Sequence, residues 1–177
     1  MITIFSFLIS TLLNLPAPGN LIEWQENSKL SWSDFQGKPD INSTNAALTN
    51  TSINFEYGYN QKGFTHSIKC RFNKLKSWGR IKNDVILAHE QGHFDIAELH
   101  ARKLAKALSE YRFNERTVAN DLNKMYDEIM KNHHAYQQRY DRETDHSRLT
   151  EKQQEWEKTI SNQLKVHAEF KNYSNSQ

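Results

Sequence analysis

The chain is poor in the residues that punctuate or cross-link a fold: 177 residues hold one cysteine, three prolines and six glycines. A lone Cys70 excludes an intrachain disulfide, so the fold must stand without covalent staples. The few glycines form no phosphate-cradling loop. The prolines (Pro16, Pro18 and Pro39) all precede residue 40, which leaves the rest of the chain free to form long helices. Charge of one sign is lacking as well. Lys+Arg number 23 against Asp+Glu 21, a net charge of +2 that points to neither nucleic acid nor an acidic surface as partner. Internal repeats and low-complexity segments are absent. With only 37% hydrophobic residues, a modest core and amphipathic helices with wide polar faces are expected.

The longest apolar run stands at the start, "MITIFSFLISTLLNLPAPGN", and no charged side chain precedes Glu23. It is too short to span a bilayer comfortably, so no stable membrane span is expected. It fits the apolar region of a secretory signal, followed by small residues suited to cleavage, although no Lys or Arg precedes it. No cysteine follows to carry a lipid. The expected organisation is a signal peptide at 1–19, a single domain at 20–172 and a loose tail at 173–177. The expected location is secreted, periplasmic or cell-envelope.

Residues 28–40, "SKLSWSDFQGKPD", suggest a short strand or extended segment ending in a turn. In "AALTNTSINFEYGYN" apolar and β-branched residues alternate from Ala47 to Tyr59, which predicts a half-buried strand. "NQKG" supplies a turn, and Phe64, His66, Ile68, Cys70 and Phe72 alternate again, so the two runs predict a hairpin. On this pattern Cys70 is a small buried hydrophobe. The period then changes. Asn83 or Asp84 can cap a helix reaching Tyr111. A second helix is expected over 115–140, carrying Val118, Leu122, Met125, Ile129, His133 and Tyr136 on one face. "YDRETDHS" (140–147) interrupts the pattern, and a third helix follows at about 150–170, with Trp156, Ile160, Leu164 and His167 aligned. Strands first and helices afterwards predict the α+β class.

The first of these helices contains His89-Glu90-Gln91-Gly92-His93. Two histidines four apart on a helix share a face and can converge on one small cation. Glu90, rotated one step away, can instead reach a water beside it, the arrangement that suits hydrolysis with Zn²⁺. The alternative is a pair of packed core histidines. Gly92 in mid-helix costs about 1 kcal/mol relative to Ala, which close approach of another element would explain. Glu98 and Arg102 need only be a solvated ion pair.

A catalytic zinc site of this kind requires a third protein ligand. His100 lies seven residues past His93, about 10 Å along the axis at 1.5 Å per residue, too far to share the ion and better placed at the surface or in an outer layer. The ligand must therefore lie downstream, at His133, His134, Asp141, Glu143, Asp145 or His146. His133 falls on the apolar stripe and favours packing.

"HEQGHFDIAELHARKL", preceded by "LSWSDFQGKP" and "KSWGR" and followed by "YDRETDHS…Q..W", resembles a bacterial family catalogued as a domain of unknown function and described as predicted secreted zinc-dependent proteases. The resemblance covers roughly 28–165. It implies a zincin-like fold, with N-terminal antiparallel strands, the HExxH helix and two further helices, and His89, His93 and His146 as ligands with Glu90 as base. The family pattern has glycine after that last histidine, where this chain has Ser147. The expected activity is that of a zinc metallopeptidase acting on a peptide or protein substrate. Tyr140 is the expected oxyanion donor, with His133 or His134 behind it, and an upstream strand would pair with the extended peptide by its edge. A hydrolase of another amide, such as cell-wall material, or a non-catalytic envelope module are the rival readings.

Overall fold

The structure is a computed structural model and describes residues 19–173. The expected signal peptide and the last four residues of the expected tail therefore lie outside the described residues, apart from Gly19. The elements run β1 (Leu21–Glu23), β2 (Ala47–Leu48), β3 (Thr51–Asn60), β4 (Gly63–Asn73), β5 (Trp78–Gly79), α1 (Asp84–Glu110), α2 (Val118–Thr144) and α3 (Thr150–Val166). This is the α+β class, with antiparallel strands followed by three helices. No helix among the described residues is long and apolar enough to cross a membrane.

β3 and β4 form the predicted hairpin, closed between Asn60 and Gly63, and β1 adds antiparallel to the far edge of β4. Ile53, Ile68, Cys70 and Phe72 face inward against Phe94, Ala97, Ala101 and Leu104 of α1. Phe72 is 0% and Phe94 2% exposed; burying a side chain of that size stabilises by about 1.5–3 kcal/mol. The first half of α2 joins this core through Val118 and Leu122, while its last turns and α3 pack on another face of α1, with Ile96, Tyr140, Trp156 and Ile160 forming a second cluster. A helix enclosed this way is buried on most of its faces, which is why α1 buries polar as well as apolar residues.

The predicted extended segment at 28–40 contains no strand. Its Ser31 N–H donates to Asp34 Oδ2 at 2.9 Å and winds Trp32–Asp34 into a 3₁₀ turn, a local alternative to pairing in a ladder. The run from Ala47 is likewise split into β2 and β3, because Asn50 N–H leaves the ladder for Ser77 Oγ at 2.8 Å. The "SWGR" segment braces this region. A Cβ at Gly79 would lie 2.6 Å from the Trp32 ring, and Arg80 donates to the carbonyls of Ser43 and Asp40. Two further expectations are corrected. Glu98 and Arg102 are each 1% exposed rather than solvated. Tyr173, expected in a loose tail, is buried and donates its hydroxyl to Glu98 at 2.5 Å.

Candidate metal centre

Asn83 caps α1 by accepting from Ile86 N–H at 2.9 Å, which fixes the helix start six residues before His89. His89 and His93 then share one face, their ring centroids 4.8 Å apart. The α2 helix crosses this face with His133, Gln137 and Asp141, a stripe at four-residue spacing. Asp141 Oδ1 stands 3.1 Å from His89 Nε2 and 2.9 Å from His93 Nε2. These three residues form a group able to hold a metal ion. Tetrahedral ligands bonded at about 2 Å lie about 3.3 Å from one another, close to the spacings found here.

The outer nitrogens of both rings are engaged elsewhere. His89 Nδ1 meets Gln153 Oε1 at 3.0 Å, and His93 Nδ1 meets Gln137 Oε1. Carbonyl oxygens only accept, so each Nδ1 carries a proton and each Nε2 of a neutral ring presents a lone pair. With both rings neutral, two such lone pairs and a carboxylate oxygen converge on one point, an arrangement that calls for a cation there or, without one, a proton on a ring nitrogen facing Asp141. Burial pushes the Asp141 carboxyl up, but hydrogen bonds and charge from His89 and His93 outweigh it and hold the group well below the usual carboxylate range. Burial works against charge on His93, yet Asp141 and Glu90 raise its pKa above the ordinary value.

Glu90 is 4% exposed, and its Oε2 is buried without a hydrogen-bond partner. The residue itself borders a groove of about 780 Å³. One wall is the segment 44–51, including β2, with Arg80, Ile81 and Ile86; the other is α2 and its following turn, from His133 to Arg148. Thr49 reaches across and donates its hydroxyl to the Glu90 carbonyl at 3.2 Å, which ties the strand wall to the helix.

The structure thus brings Asp141 to the two histidines. The His146 side chain is 53% exposed, with Nδ1 3.7 Å from Asp141 Oδ1, outside the three-residue group. The expected interruption at Tyr140 begins only at Asp145; α2 continues to Thr144, and this extra turn carries Asp141. Asp145, His146 and Ser147 then adopt φ of 47°, 51° and 73°, a left-handed run of three non-glycine residues beside the site. The last is where the family pattern in the resemblance has glycine.

Tyr140 is fully buried and does not line the groove. Its ring stacks on His89 at 4.5 Å, and its hydroxyl donates to the His89 carbonyl at 3.2 Å. That hydroxyl also accepts from Gln153 at 2.7 Å, so Tyr140 braces a histidine instead of facing substrate. A Cβ on Gly92 would stand 2.3 Å from the Tyr140 oxygen, which supplies the close approach that the mid-helix glycine suggested. His133 is packed, as its stripe position implied, and its edge reaches the groove beside the exposed His134. His100, expected at the surface or in an outer layer, is buried at 1% exposure between His133 and Tyr136. Sequence reasoning missed Gln137 and had Gln153 only as a letter in "Q..W". The four-residue spacing His133, Gln137, Asp141 was the legible signal for the first.

Residues 25–147 match a family described as a bacterial protein of unknown function (DUF922). The chain belongs to this family. No curated protein and no solved structure matches it. In this DUF922 chain the matched span includes β2, α1, α2 and all three residues of the metal-binding group, and it ends at Ser147, before α3.

Proposed function

We propose that this protein is a metal-dependent hydrolase, a zincin-like peptidase acting on extended polypeptide in a secreted or cell-envelope setting. The observation that carries the reading is the convergence of His89 Nε2, His93 Nε2 and Asp141 Oδ1 beside the orphaned buried carboxylate oxygen of Glu90, all bordering one groove. His89, His93 and Asp141 would hold the ion, and two imidazoles with one carboxylate suit Zn²⁺. When bound, the ion supplies Lewis acidity toward a carbonyl and makes water a competent nucleophile near neutral pH.

The Glu90 carboxylate, which borders the groove, accepts the proton of the attacking water and returns it to the departing amine. A buried carboxylate without a partner suits that task, since it gives up no existing hydrogen bond. His134 and Arg148 border the groove and offer donors to the oxyanion side of the scissile carbonyl. The β2 strand supplies the edge. The Ala46 carbonyl accepts from Arg80 N–H at 2.7 Å on the β5 side, so the amide groups of Ala47, alternating with it, point to the opposite edge. An extended peptide laid along that edge would be held by its main chain with little sequence preference.

The test uses residues 20–177, zinc analysis and a labelled unfolded protein substrate. About one zinc per chain with zinc-dependent hydrolysis is expected, and Glu90→Gln should keep the zinc while hydrolysis falls at least about 100-fold. Undiminished hydrolysis by Glu90→Gln with zinc bound would sink the mechanism.

A further inference from the structure

Two glutamines outside the metal-binding group converge on it from different helices, and each satisfies its whole amide with groups around one histidine. Gln153 of α3 is 3% exposed. Its Nε2 donates to Tyr140 Oη at 2.7 Å and to Glu157 Oε1 at 3.0 Å. Tyr140 spends its own proton on the His89 carbonyl, and a carboxylate can only accept, so the NH₂ of Gln153 must point that way. The amide oxygen is then left for His89 Nδ1 at 3.0 Å. Gln137 of α2 repeats the logic: its Nε2 donates to the His93 carbonyl at 2.9 Å and to His133 Nε2 at 3.0 Å, and its oxygen takes His93 Nδ1–H. Neither amide can flip without setting its oxygen against another acceptor, the Glu157 carboxylate for Gln153 and the His93 carbonyl for Gln137.

Resting on the metal-centre reading above, we infer that Gln137 and Gln153 are positioning residues that lock His89 and His93 in the Nδ1–H tautomer, so that both Nε2 lone pairs face the ion. Outer-shell partners of ligating histidines fix tautomer and ring orientation in this way, and their loss typically costs about 10–100-fold in metal affinity. Carboxylates in these places would add negative charge to the rings; neutral amides set the tautomer alone. A second consequence concerns the extent of the functional domain. Gln153 lies in α3, beyond the residues that match the family, so the centre is completed by a segment outside that span. Trp156, one turn on, packs against Tyr140 and donates to Glu143 Oε2 at 3.0 Å, which seats α3 against α2 at this level. The "Q..W" spacing is therefore one orienting amide and one anchor.

The experiment is zinc competition against a chromophoric chelator on residues 20–177, with Gln137→Met, Gln153→Met, Gln137→Glu and Gln153→Glu, and urea unfolding of each metal-free form. Met removes the acceptor at similar length, whereas Glu keeps it. Each Met variant should bind zinc about 10–100-fold more weakly than the parent, and the matching Glu variant should recover part of that loss, since it keeps the acceptor while giving up the donor. Metal-free stability should not account for the difference between Met and Glu. Should Gln153→Met fail to fold, the less buried Gln137 pair decides. Met variants that bind as tightly as the parent would overturn the positioning role while leaving the metal site standing. A parent chain that binds no zinc would overturn both.

Discussion

At the scale of single residues, the ligand question turns on Asp141 and His146, five positions apart and differently presented. Asp141 Oδ1 touches both ring nitrogens, while His146 stands at the rim on a left-handed turn. Asp141→Ala should therefore weaken zinc binding beyond the 10–100-fold that loss of an outer-shell partner costs, and His146→Ala should change it by less than about 10-fold. Chelator competition measures both, and the reverse ranking would return His146 to the ligand set. Gly92 offers a test of packing. Alanine there gains about 1 kcal/mol of helix propensity, but its Cβ meets the fully buried Tyr140 ring. Overpacking of that kind costs about 1–3 kcal/mol, so Gly92→Ala should lower the urea midpoint, and a midpoint that rose would show the ring free to move aside.

At the scale of elements, the interface of α1 with α2 buries two neutral histidines. Burial lowers the pKa of His100 to about 4, with Lys103 and His167 adding to the effect against its Nδ1–H bond to Ile96. Burial likewise brings His133 to about 3, helped by the charges of His100, His134 and His93. A depressed folded-state pKa means that the unfolded chain takes up protons first as pH falls. The stability is thus intact above the ordinary histidine value of about 6.5. It declines as pH drops through the window toward about 4 and about 3. Metal-free urea unfolding at several pH values should show a loss on the order of a few kcal/mol across that window. His100→Leu should flatten part of the slope. An unchanged slope would place the acid sensitivity elsewhere.

The molecule as a whole is closed by a network that joins distant parts of the chain. Glu98 and Arg102 pair at 2.8 Å inside α1; Arg102 also donates to the Leu164 carbonyl of α3 and lies 5.1 Å from the Trp24 ring centre, and Tyr173 donates to Glu98. Removing one partner strands a buried charge. Tyr173→Phe should cost about 1–3 kcal/mol by leaving a carboxylate oxygen without its donor, and Arg102→Leu about 3–5 kcal/mol. Denaturant unfolding of the metal-free protein reads both, and a Tyr173→Phe variant as stable as the parent would mean that water replaces the hydroxyl.

The division between what the chain announces and what the fold adds runs through the same residues. Alternation around Ile53, Ile68 and Phe72 and the cap at Asn83 are local signals, so the hairpin and the start of α1 could be read directly. The shared face of His89 and His93 needs only the period of one helix. Which downstream side chain meets them depended on how far α2 runs past Tyr140, and "YDRETDHS" is polar enough to read as a turn. One further helical turn, held by packing of Tyr140 under Gly92, turns Asp141 inward and leaves His146 at the rim. The burial of Glu98, Arg102, His100 and Tyr173 was hidden for the same reason: polar identity predicts exposure, and partners four residues along the helix are completed by others brought from tens of residues away. By itself the sequence determined the helix with its two histidines and its glutamate. The acidic third member of the group and the two orienting glutamines were decided by tertiary structure, because side chains on three separate helices converge only after those helices have packed.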